Sequence, residues 1–164
     1  MDGIYHWIVF AHVAAGFAFA VAHGGSVAVA LRLRHERDVE RVRALLELSA
    51  STLNLMYGSL LALLIFGIAA GFVGQWWGRG WIWAALALLV VLAVAMYYRG
   101  TTYFIELRRV AGLPYRAERA QQPALPPNPA ALAATLASSR PIELAATGYV
   151  GLLAIIWLMV FKPF

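Results

Sequence analysis

The sequence predicts an all-α, polytopic membrane protein in which four transmembrane helices form an antiparallel bundle, with short interfacial helices on the cytoplasmic side. Composition gives the first indication, because 62% of the 164 residues are hydrophobic and 13% are charged, whereas soluble domains carry about 45–50% apolar and about 25% charged residues. A soluble fold of this length cannot bury such an excess of apolar surface. The second indication is a set of four long apolar runs, and the third is the concentration of arginine between them.

Four apolar runs are long enough to cross the hydrocarbon core of a bilayer, which takes about 20 helical residues. They cover approximately residues 4–31, 50–73, 81–98 and 142–161. Backbone groups cannot remain unpaired in lipid, so each run is expected to be a helix. The first run follows no basic segment and is too long for a cleavable signal, so we expect it to stay attached as a span. Residues 1–164 then form one transmembrane domain with loops at 32–49 and 99–141.

The distribution of arginine predicts the orientation of the chain. Eleven of the twelve arginines lie in loops 32–49 and 99–141, whereas Arg79 lies between the second and third runs. Positive charge is retained in the cytoplasm, so these loops are predicted to be cytoplasmic and both termini to lie outside the bacterial inner membrane. The net charge of +5 is then explained by topology and lipid headgroups, and nucleic-acid binding is not expected. The chain has no cysteine, which excludes disulfides and thiolate metal sites.

Each cytoplasmic loop is expected to contain a helix. Residues 35–48 combine charged side chains with apolar ones at helical spacing, which is typical of an amphipathic helix at the membrane interface. Asn128 and Pro129 have the pattern of an N-cap followed by proline at the first helical position. They predict a short helix that ends near Ser138.

Two histidines of the first run are candidate functional residues. His12 and His23 are eleven residues apart, so on a helix they lie within about 20° of one another and roughly 16 Å apart along the axis, with Gly16 on nearly the same stripe. A neutral imidazole is a good axial ligand of haem iron, and ionisable groups within a span are often functional. The alternative is that each histidine forms a hydrogen bond with a neighbouring helix. Met56 and Met96 are secondary candidates for a second axial ligand, since no other run contains a histidine.

Small residues predict where helices pack closely. Gly67 and Gly71 have the small-xxx-small spacing that lets two backbones approach each other in lipid. Together with Gly16, they are predicted to mark helix contacts, either within the bundle or between copies of the chain. Glu143 is expected to pair with Arg140 or to cap the start of the fourth span.

The first run also carries a resemblance to a known family. Residues 8–16, IVFAHVAAG, are followed by His-Gly-Gly at 23–25 and by Arg-Leu-Arg at 32–34. This pattern resembles a bacterial family of predicted four-helix integral membrane proteins of unknown function, distantly similar to the membrane domain of copper-resistance protein D and to HemJ-like haem-binding membrane proteins. The resemblance extends to about Leu107 and implies His12 as a ligand of haem b. The Leu-Pro-Arg motif of the HemJ type is absent, so the resemblance does not extend to oxidase activity.

Three functions remain open at the level of the sequence. The first is a haem b-binding protein that carries electrons or anchors a redox partner. The second is a cofactor-free accessory subunit of a larger membrane complex, and the third is a small copper or metabolite transporter. Self-association or a partner chain is expected, because four short spans bury little surface. The chain has no Gly-rich phosphate loop and no Ser/His/Asp arrangement, so no catalytic residue is assigned and an enzyme is not expected.

Overall fold

The computed structural model describes residues 2–117 and 120–164, and most of these residues are helical. The helices are α1 (Asp2–Leu33), α2 (Val39–Ser51), α3 (Leu53–Val73), α4 (Gly80–Val110), α5 (Pro129–Leu136) and α6 (Arg140–Phe161). A 3-10 turn (Trp76–Gly78) and two short antiparallel strands, β1 (Tyr115–Ala117) and β2 (Ala120–Gln122), lie in the connections. Within the described residues, four stretches are long and apolar enough to cross a membrane: Gly3–Leu33, Val39–Val73, Gly80–Val110 and Pro129–Phe161. This confirms the predicted number of candidate spans.

The α4 helix is longer than the apolar run that predicted the third span. It continues to Val110, whereas the run ends near residue 98. The added turns carry Tyr103, Leu107 and Val110, which recur at helical spacing and are all buried. The same turns carry the polar residues Arg99, Thr102, Glu106, Arg108 and Arg109, so this part of α4 is an amphipathic helix that hydropathy alone does not detect.

The structure has a helix in each of the two loops, as predicted, but α2 begins at Val39 and ends at Ser51 instead of covering residues 35–48, because Asp38 caps it. The Asp38 carboxylate accepts a hydrogen bond from the backbone N–H of Glu40 (2.9 Å) and caps α2. Asn128 Oδ1 accepts one from the N–H of Ala131 (3.0 Å) and caps α5, with Pro129 in its first turn. The first N–H groups of a helix have no partner within the helix, and a side-chain cap stabilises it by about 1 kcal/mol.

A glycine ends α4 and turns the chain back. Gly112 has a φ of +74°, a conformation that costs other residues about 1–2 kcal/mol. The N–H groups of Gly112 and Leu113 donate to the carbonyls of Arg109 (3.3 Å) and Arg108 (2.9 Å), which is the Schellman arrangement. Nε of Arg43 on α2 donates to the carbonyl that precedes Gly112 (2.8 Å), so the end of α4 is also fixed to α2.

We call the end of the molecule that carries stretches 32–49 and 99–141 the arginine-rich end. A hydrophobic core lies there, where α2, α5 and the last turns of α4 cover the ends of α1 and α6. Its members include Leu33, Val42, Leu46, Tyr103, Leu107, Leu132, Leu136 and Leu144. Burying one large apolar side chain completely is worth about 1.5–3 kcal/mol. The core therefore holds the two loop helices against the long ones.

Helix α1 packs against α3 along most of its length. Near one end, Trp76 Nε1, in the turn after α3, donates to the Tyr5 hydroxyl (3.1 Å). Near the other end, the hydroxyls of Ser26 and Thr52 are hydrogen-bonded at 3.1 Å. Residues late in α1 thus meet residues at the start of α3.

Helix α6 packs against α4 in the same manner and also touches α1. The N–H of Trp81 donates to the carbonyl of Phe164 (3.1 Å), and Arg99 pairs with Glu143 (3.5 Å) at the opposite end. The long helices are therefore in contact in the order α3, α1, α6, α4. Their outer surfaces expose large apolar side chains, including Phe17 on α1 (71%), Phe72 on α3 (68%) and Val150 on α6 (67%).

Candidate functional site

The His12 imidazole is bound to the backbone of α3. Its Nδ1 lies 2.9 Å from the carbonyl oxygen of Leu63. A carbonyl can only accept, so Nδ1 carries a proton, and in the neutral imidazole Nε2 then keeps a lone pair. The hydrogen bond therefore fixes both the tautomer and the orientation of the ring.

This contact requires a glycine at position 67. A Cβ built on Gly67 would lie 2.9 Å from Cε1 and 3.1 Å from Nδ1 of His12, which is closer than real Cβ contacts. Gly67 is one helical turn after Leu63 on α3, so its missing side chain opens the space through which the ring reaches the carbonyl. We call this arrangement the Gly67 notch.

His23, also on α1, fits against the facing helix α6 in a similar way. The residue is 9% exposed, and its ring stacks on Phe19 (centroids 5.8 Å apart, 4° between planes) and meets Tyr149 edge to face (5.9 Å, 68°). A Cβ built on Gly148 would lie 2.5 Å from Nε2, so the imidazole fills a second notch, the Gly148 notch. Nε2 is buried and has no hydrogen-bond partner among the described residues.

The two histidines thus contact different helices although they lie on one stripe of α1. His12 fits against α3, and His23 fits against α6. Both therefore contribute to the position of α1 between its neighbours. Iron could approach Nε2 of His23 only if α1 and α6 separated at Gly148. For His12, the hydrogen bond at Nδ1 leaves Nε2 as the atom that could bind iron.

Met56 and Met96, the candidates for a second axial ligand, lie away from His12. Met96 packs against the hydrophobic core at the arginine-rich end. Met56 is seven residues before Leu63 on α3, about 10 Å along the helix axis. Neither is brought to the level of His12.

The other predicted packing glycines make contacts within the chain. Gly16 faces Leu63, with a built Cβ 3.4 Å from its Cδ1. Gly71 lies against the Trp77 indole, where a built Cβ would be 3.0 Å from two ring carbons. Both glycines admit a large neighbouring side chain from another part of the same chain.

Glu143 forms a hydrogen bond and an ion pair close to the start of α6. It accepts a hydrogen bond from the Ser139 hydroxyl (2.6 Å) and pairs with Arg99 of α4 (3.5 Å). The sequence-based expectation was either an ion pair with Arg140 or a cap at the start of the helix, and the hydrogen bond from Ser139, the residue that precedes α6, lies at that start. The ion pair forms instead with an arginine of the helix that packs alongside, because α4 extends past the membrane-length run.

Sequence reasoning did not identify Gly148 as the residue that faces His23. Phe19 is one helical turn before His23, and Tyr149 follows Gly148, but all long helices are rich in such aromatic and small residues. Nothing in the sequence states which of them face each other. The Leu63 carbonyl is a backbone group and leaves no sequence signal at all.

Neither a search for metal-binding clusters nor a comparison with known proteins adds an indication of function. In residues 2–117 and 120–164, no group of three His, Cys, Asp or Glu side chains could hold a metal ion. No protein-family model, curated protein or solved structure matches the chain. Its function is therefore inferred from the geometry of its own residues.

Proposed function

We propose that the chain is a multi-pass protein of the bacterial inner membrane, folded as an antiparallel four-helix bundle with both termini outside. The exposed apolar side chains of α1, α3 and α6 support a lipid environment, since soluble proteins rarely expose large contiguous apolar patches. The contacts along α1–α3 and α4–α6 pair residues in opposite order, which supports the antiparallel arrangement. The arginine distribution supports the orientation.

Within this membrane protein, we propose that His12 is an axial ligand of haem b and that the protein carries electrons or anchors a redox partner. The observation that carries this proposal is the Nδ1–H bond of His12 to the Leu63 carbonyl. Histidines that ligate metals usually donate their other ring N–H to such a group, which orients the ring and raises its basicity. When bound, the haem would supply a one-electron redox centre.

The placement of the other candidates limits the form of the site. Nε2 of His23 faces the Gly148 backbone, and Met56 and Met96 lie at other levels. His12 would therefore hold a five-coordinate iron, or share the iron with a residue from a second copy or from a partner protein.

A cofactor-free accessory subunit is the second candidate function. One specific observation favours it: both histidines fill glycine notches on neighbouring helices. Helix packing alone is sufficient to account for both of these side chains.

An absorption spectrum of the purified protein separates the two functions. The chain is expressed with haem in excess and purified in mild detergent, with His12→Ala and the loop variant His35→Ala as a matched pair. For a haem protein we expect a Soret band that His12→Ala abolishes and His35→Ala retains. For a cofactor-free subunit, His12→Ala lowers the unfolding free energy by about 1–2 kcal/mol without a spectral change. A colourless wild-type protein that keeps its fold contradicts the haem proposal.

A further inference from the structure

A cavity lies between α4 and α6 at the arginine-rich end of the molecule. Its volume is about 190 Å³, room for roughly six water molecules at about 30 Å³ each, so it suits a small polar group rather than a large organic ligand. Its lining residues are Arg99, Thr102, Arg140, Glu143 and Leu144. Two arginines and one glutamate give the lining a formal charge of +1.

The two arginines are not equivalent. Arg99 already pairs with Glu143 (3.5 Å). Arg140 forms no ion pair with any carboxylate of residues 2–117 and 120–164. Glu106 lines a neighbouring cavity together with Arg140, and its carboxylate accepts two hydrogen bonds from Arg109 (2.7 and 2.9 Å). The Arg140 charge interacts with Glu106 at longer range, but among the described residues this guanidinium has no direct ion pair.

The position of the cavity along α4 matches the headgroup region of a bilayer. Tyr97 and Tyr98 directly precede Arg99 and are 56% and 66% exposed. Tyrosines settle at the membrane–water interface, so the residue that follows them lies at the level of the lipid phosphates. Basic cavities between transmembrane helices on the cytoplasmic side are typical sites for anionic lipid headgroups.

We propose that this cavity binds a phosphate group, carried by an anionic phospholipid headgroup, between Arg99 and Arg140. A phosphodiester has one negative charge, which balances the +1 charge of the lining. A guanidinium can donate two parallel hydrogen bonds to phosphate oxygens, and among the described residues Arg140 forms no direct ion pair with a carboxylate. Leu144 forms the apolar part of the wall.

The test is a titration of the purified full-length protein with phosphatidylglycerol in mild detergent, followed by native mass spectrometry. The variants are Arg140→Gln, Glu143→Gln and, as a matched control, Arg116→Gln, whose side chain is exposed on β1. We expect Arg140→Gln to weaken binding by about 10- to 100-fold, the effect of losing a charge-assisted hydrogen bond. Arg116→Gln should change it less than about 2-fold, which is the expectation for an exposed charge outside the site.

Glu143→Gln separates phosphate binding from a purely structural role. Removal of this carboxylate takes a negative charge away from the phosphate and releases Arg99, so phosphatidylglycerol binding should become tighter. If the residues serve only to hold α4 against α6, Glu143→Gln leaves lipid binding unchanged or weakens it, and the proposal is overturned. An equal loss in Arg140→Gln and Arg116→Gln also overturns it, since that pattern reflects general surface charge.

Two further arms identify the source of the phosphate and guard against misfolding. Inorganic phosphate is added as a competitor: no displacement of the lipid supports the headgroup as the source, and displacement that depends on Arg140 supports the same site with free phosphate as its ligand. If Arg140→Gln fails to fold, Arg140→Lys is used. The lysine keeps the charge but not the two-pronged geometry, so phosphatidylglycerol binding should fall by less than in a variant without charge. Wild-type protein that binds phosphatidylcholine as tightly as phosphatidylglycerol contradicts the proposal.

Discussion

At His12 and His23, the imidazole takes the space that a side chain on the facing helix would otherwise occupy. The histidines themselves are visible in the sequence as polar residues of an apolar run, and their periodicity on α1 is predictable. Their partners are not, because the small-xxx-small spacing marks Gly67 as a contact without indicating what it meets, and Gly148 resembles other glycines of the spans until the helices are placed together. Whether an imidazole lies against a glycine depends on tertiary packing, to which no local pattern refers.

Gly67→Ala is predicted to destabilise the protein. The new Cβ would lie 2.9 Å from Cε1 of His12, so the ring must leave the Leu63 carbonyl or the helices must separate. Overpacking of this kind costs about 1–3 kcal/mol. The control is Gly58→Ala on the same helix, where a Cβ meets nothing within 4 Å and no loss is expected. Thermal unfolding in one detergent compares the two, and equal melting temperatures contradict the prediction.

Gly148→Ala is predicted to have a larger effect, and the effect should depend on His23. The built Cβ lies 2.5 Å from Nε2, where the ring is packed on three sides. If the clash is the cause, Gly148→Ala costs less in a His23→Ala background than in the wild type. A double-mutant cycle on the unfolding free energy measures this coupling, expected at about 1–2 kcal/mol. Additive losses would show that the two residues do not interact.

Among the secondary-structure elements, the long helices and both loop helices follow from hydropathy and capping signals. The last three turns of α4 do not, because Tyr103, Leu107 and Val110 are interleaved with arginines and lower the local hydropathy. The β1–β2 hairpin was also missed, since its two strands have three residues each. Such short strands depend on their packing against α4 rather than on their own sequence preference.

Gly112→Ala is predicted to loosen the end of α4 without affecting the membrane-level contacts. Alanine at a φ of +74° costs about 1–2 kcal/mol, and the Schellman hydrogen bonds would weaken. Hydrogen exchange of residues 111–128 should accelerate, while that of α1 and α3 stays unchanged. Gly100→Ala, within α4 and with nothing near its built Cβ, serves as the control. Unchanged exchange in Gly112→Ala would refute the role assigned to this turn.

For the whole molecule, the number of spans is predictable because it depends only on apolar length. The order of contacts α3, α1, α6, α4 is not, since lipid-facing and protein-facing sides of these helices are similarly apolar. Hydropathy counts the candidate spans but contains little information on which pairs of helices touch. The proposed orientation is a separate property, and the arginine distribution predicts it.

The orientation is tested by fusing alkaline phosphatase, which is active only outside the cytoplasm, at two positions. A fusion after Arg119 should be inactive, because the loop that contains it, residues 99–141, carries six arginines and positive loops are retained in the cytoplasm. A fusion at Gly78 should be active, with similar amounts of both proteins verified by immunoblot. The reverse pattern of activity would invert the proposed topology.

The central position of α1 has a consequence for biogenesis. Because α1 and α3 are synthesised before α6, the α1–α3 pair can associate in the membrane before α6 has left the ribosome. Helix α6 emerges later, yet it supplies the Gly148 notch that encloses His23. Until then a polar ring faces lipid, a state that costs free energy and that membrane proteases can recognise. A chain truncated before α6 is therefore expected to be degraded rapidly, and pulse–chase labelling would measure its lifetime.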